Sequence, residues 1–117
     1  MDYKTAYQLV LDQGKALETQ KDPDALLSRL QKGQSPIPGQ LTNILLALKI
    51  LFDCLKTESK FDREFSAALH QLAMESYRQF VTGRERGVAW PPLLQEDLNR
   101  VAAAVQSIFS GQWQEEA

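Results

Sequence analysis

The residues of this 117-residue chain that could do chemistry are few and scattered. Cys54 is the single thiol and His70 the single imidazole. A nucleophilic site would need the two side by side with an orienting acid. Cys54 falls within the apolar run 44–55, where it is expected to act as a small buried hydrophobe, the usual role of a free thiol. A zinc or iron centre needs several converging ligands, which one His and one Cys on separate helices do not provide. The stretch "QSPIPGQ" has the outline of a phosphate loop, but such a loop exposes several backbone N–H groups and has a Lys behind it. One glycine and two prolines, which carry no N–H, make it a turn. Carboxylates such as Glu64 and Glu75 are read as a solvated helix surface. No catalytic residue, metal site or cofactor is assigned, and the enzyme class is left open with no motif arguing for it.

Two other groups of residues have the make-up of a contact surface. In "TGRERGVAWPPLLQEDL", Arg84 and Arg86 precede Trp90, and these residue types anchor interfaces. Either the three form a partner-binding surface, or Trp90 folds back as a lid on the core while the arginines solvate a connection. The second group is a stripe of Ala67, His70, Met74, Tyr77 and Val81, spaced three or four residues apart. Its composition resembles an interface. His70, Met74 and Tyr77 are the candidate association face, unless another helix of the same domain covers them.

Hydrophobic periodicity places both groups on an all-α scaffold. Five helices are expected near residues 3–20, 23–32, 38–57, 60–82 and 92–110, in one domain with a tail over 112–117. Asp2 is a cap for the first, in which Gly14 interrupts the apolar stripe. That glycine is either merely tolerated or marks the close approach of another backbone. The second helix has Asp22 as cap, Pro23 in its first turn and Gly33 as a left-handed stop. In the third, Leu41, Ile44, Leu45, Leu48, Leu51, Phe52 and Leu55 form one face, and Leu46, Ala47, Ile50 and Cys54 widen it. A helix apolar around most of its girth should be surrounded by others, so the third is expected at the centre. Ser59 is the expected cap of the fourth, and Gly111 the stop of the fifth. Nothing alternates with the period of a strand.

Composition narrows the partners. Hydrophobic residues make up 44% and charged ones 24% of the chain, ordinary values for a globular protein. Thirteen Lys and Arg against fifteen Asp and Glu give a net charge of −2. That balance lacks the basic footprint of nucleic-acid binders. The most apolar run is far short of the ~20 residues of a membrane span, and the amino terminus lacks the order of a signal peptide. With one thiol and no possible intrachain disulfide, a reducing cytoplasm is the expected location.

Three stretches, "PIPGQLTNILLALK", "EFSAALHQLAMES" and "GVAWPPLLQEDLNRVAAAVQSIFSG", together resemble a family of small, uncharacterised helical proteins of cyanobacteria. The likeness spans most of the chain and implies a cytoplasmic helical protein without an assigned reaction. Some members carry a dethiobiotin synthetase label. Enzymes of that kind use a phosphate loop on a larger α/β sheet, and this sequence has neither. The expected function is therefore a non-enzymatic module for binding an unknown protein partner or a second copy of itself. The alternative is a small-molecule binder or minor enzyme with a pocket between the third, fourth and fifth helices.

Overall fold

The Asp2 carboxylate accepts the backbone N–H of Thr5 at 2.8 Å, and from that cap α1 runs over Tyr3–Gly14. The structure, a computed structural model, describes residues 1–114. Of the expected tail, residues 115–117 lie outside the described residues. The first expected helix is in fact two. Lys15 (φ −98°, ψ 6°) separates α1 from a short α2, Ala16–Thr19, and Gln20 ends α2 in the left-handed conformation. Long-range packing explains the break. Ala16 and Leu17 turn to meet Ala25 and Leu27 in a small second core, and the Gln13 side chain accepts the Leu26 N–H at 3.0 Å.

Helix α3 covers Leu26–Gln31, beginning three residues later than expected. Asp22 caps a turn instead of the helix, accepting the Asp24 N–H at 2.9 Å. Gly33 is left-handed (φ 75°), as its stop role requires. Helix α4, Gln40–Leu55, starts after a left-handed Gly39. Helix α5, Arg63–Glu85, is capped by Asp62 in place of Ser59. It extends past Thr82, so Arg84 lies on the helix and Arg86 caps its end. Helix α6 spans Leu94–Ser110 and stops at left-handed Gly111. No strand occurs among the described residues.

The four long helices form a bundle. Both α1 and α6 pack on α4 and also on α5, so α4 and α5 face each other across the core, while α3 buttresses α5. Ile44, Ala47, Leu48, Leu51 and Phe52 of α4 meet Phe65, Leu69, Leu72 and Phe80 of α5 in one continuous core. Helix α4 thus contributes the expected apolar face, and α5 shares the central place. The widened face expected on α4 is not covered: Leu46 is 47% exposed and Cys54 is exposed too. With helices on only two of its sides, α4 leaves those positions to solvent. Past α6 the chain folds back, with the Gln114 N–H donating to Ser107 Oγ at 2.7 Å and Trp113 edge-on to Phe52.

Candidate functional site

The connection from α5 to α6 is built around Trp90. Its indole N–H donates to the Phe80 carbonyl at 2.9 Å, and its ring stacks on Phe80 with centroids 6.1 Å apart. Gly83 makes the seat: any Cβ there would run into the indole ring. Trp90 is half-buried and packs against the main core. Arg84 lies with its guanidinium 5.2 Å from the Phe80 ring centroid, and both it and Arg86 are exposed. The three candidate residues therefore cluster around the end of α5, with Trp90 turned inward and the two arginines outward. Gly83 was missed in the sequence. The available signal was a small residue one position before Arg84, within reach of a nearby tryptophan.

The outer stripe of α5 is open. Met74 is 57% exposed and Tyr77 47% exposed. Ala67 and His70 are exposed as well, and Val81 is half-buried. The opposite face of α5 is occupied by Phe65, Ala68, Leu69, Leu72, Ser76, Phe80 and Gly83, all buried. Glu75 and Arg78 pair at 3.0 Å beside the stripe. Helices α1, α3 and α6, the neighbours of α5, leave this line of side chains uncovered.

Cys54 and His70 are not brought together. They are exposed on α4 and α5, two helices that lie across the core from each other. Among the described residues no group of His, Cys and carboxylates is arranged to hold a metal ion. No described helix is long and apolar enough to cross a membrane.

A groove of about 340 Å³ opens between α4, α6 and the folded-back tail, lined by Leu45, Lys49, Arg100, Ala103, Ala104 and Trp113. It differs from the expected pocket because α5 contributes nothing to it. Its two cations are engaged within their own helices: Lys49 pairs with Asp53 at 3.4 Å and Arg100 with Asp97 at 2.7 Å. The Lys49 ammonium also lies 4.3 Å from the Trp113 ring centroid. Polar groups here point to their own neighbours and do not converge on a ligand, as a binding pocket requires.

Among the described residues, two titrating groups stand apart from their ordinary behaviour, and both lie on or beside α1. The Asp2 carboxyl is held below its usual range by its hydrogen bond to the Thr5 backbone N–H. The Tyr7 phenol is pushed up by burial first, and then by the nearby Asp62 carboxylate. Tyr7 stacks on Phe65 with centroids 4.4 Å apart. These shifts belong to the core and a helix end, away from the α5 stripe.

No protein-family model matches the chain, and no curated protein or solved structure is significantly similar to it.

Proposed function

We propose that the chain is a non-enzymatic interaction module that binds protein through the outer face of α5, with Arg84 and Arg86 at one end of that face. One observation carries this reading. After the helices of the described residues have packed, Met74 and Tyr77 remain 57% and 47% exposed on a single line. Large exposed apolar side chains occurring singly are common, whereas a contiguous stripe of them marks an interaction surface. Tyr, Met and Arg are also the residue types enriched at interface cores. The proposed setting is the cytoplasm of a cyanobacterium, where an exposed Cys54 stays a free thiol.

The test is affinity capture from native extract, with the wild-type chain and a Met74→Asp variant as parallel baits. Because Met74 is solvent-facing, the variant keeps its circular dichroism spectrum and melting temperature. It loses captured protein, since a carboxylate is costly only where binding removes water. Equal capture by both baits would defeat the reading.

A further inference from the structure

We propose that the partner on this face is a second copy of the same chain, laid antiparallel along α5 with Met74 at the two-fold axis. This rests on the interaction reading above and names its occupant.

The register comes from the sequence of the exposed line. Arg63, Ala67, His70, Met74, Tyr77, Val81 and Glu85 follow one another at steps of three or four along α5. That is the seam along which two helices pack. From Arg63 to Glu85 the seam is about 33 Å long at the α-helical rise. It is self-complementary about its midpoint. Arg63 and Glu85 are equidistant from Met74 in sequence, and so are Ala67 and Val81. Reversed onto itself, the helix sets Met74 against the partner's Met74 and Ala67 against the partner's Val81. His70 comes beside the partner's Tyr77, and Arg63 beside the partner's Glu85. Two-fold symmetry makes every one of these contacts occur twice, except the Met74 pair on the axis. A parallel pairing would set Arg63 beside the partner's Arg63 and Glu85 beside the partner's Glu85, like charge against like.

The two end charges supply an independent argument. Arg63 is the first residue of α5 and Glu85 the last. A cation at a helix N-terminus and an anion at its C-terminus both oppose the macrodipole. Both residues are exposed, and neither belongs to an ion pair among the described residues. Inside the monomer Asp62 and Glu64 flank Arg63, and Arg84 and Arg86 flank Glu85, but neither end charge is held in a direct pair. The antiparallel pair gives each an opposite charge.

Sedimentation equilibrium of the purified full-length chain tests this, using wild type, Arg63→Glu, Glu85→Arg and an equimolar mixture of the two variants. Wild type sediments as a dimer. Each variant alone dissociates about tenfold more readily, because two attractive pairs become repulsive. The mixture recovers wild-type affinity, since in the mixed dimer both end pairs are again opposite in charge. Both substitutions place charge in favour of the helix dipole, so unfolding does not explain the loss, and melting temperature checks this. A wild-type monomer at every concentration, single variants that dimerise like wild type, or a mixture no better than its components overturns the proposal. A monomeric wild type leaves the interaction reading standing, because the capture comparison tests that separately.

Discussion

Gly14 of α1 lies directly against the backbone of Ala68 in α5, so close that a methyl group at residue 14 would overlap the Ala68 carbonyl and Cα. This contact sets the spacing of the two helices and so fixes which face of α5 turns outward. Gly14→Ala has opposing consequences: helix propensity favours Ala by ~1 kcal/mol, while overpacking costs about 1–3 kcal/mol. Backbone cannot rotate away as a side chain can, so overpacking wins. Urea titration should show Gly14→Ala less stable than wild type, and a more stable variant would refute the close approach.

Trp90 and the arginines beside it should separate cleanly in stability. Trp90→Ala removes a half-buried ring and the donor to Phe80, and should cost about 2–4 kcal/mol. The paired change Arg84→Ala with Arg86→Ala removes exposed heads and one cation–π contact, worth about 0.5–1 kcal/mol. Thermal denaturation of both variants checks the order.

Much of this fold was readable in the chain itself. Gly33 and Gly111 stop their helices in the left-handed conformation their positions implied, and the face from Ile44 to Phe52 is buried. Other features depend on contacts distant in sequence. The break at Lys15 exists because Ala16 and Leu17 meet Ala25 and Leu27, and no local pattern announces that meeting. Cys54 and Leu46 carry apolar side chains, but their exposure follows from α4 having helices on two sides only. The stripe through Met74 was ambiguous for the same reason: spacing puts residues on one face, and only packing tells whether that face is covered.

Core burial makes Leu48 the sharpest probe of α4. It is fully buried, so Leu48→Ala should cost about 2–5 kcal/mol. A loss under about 1 kcal/mol in denaturant titration would contradict the packing described.

Tyr7 should give the protein an alkaline limit. Its phenol is raised above the ordinary value of 10.0, chiefly by burial. The fold therefore favours the neutral phenol. That contribution is complete below the unfolded value and disappears as pH rises through the folded one. Melting temperature should fall from about pH 10 upward, and Tyr7→Phe, which keeps the stack on Phe65, should flatten that fall. An unchanged slope in Tyr7→Phe would assign the alkaline loss to other groups.

The most direct test of the interaction surface is hydroxyl-radical footprinting of the chain, once purified and diluted until monomeric and once at high concentration in native extract. Met1 and Tyr3 serve as internal controls, being 48% and 40% exposed and lying outside α5. The account predicts that Met74 and Tyr77 react readily in the dilute protein and are protected in extract, while Met1 and Tyr3 react alike in both. Equal reactivity of Met74 and Tyr77 under the two conditions would contradict it.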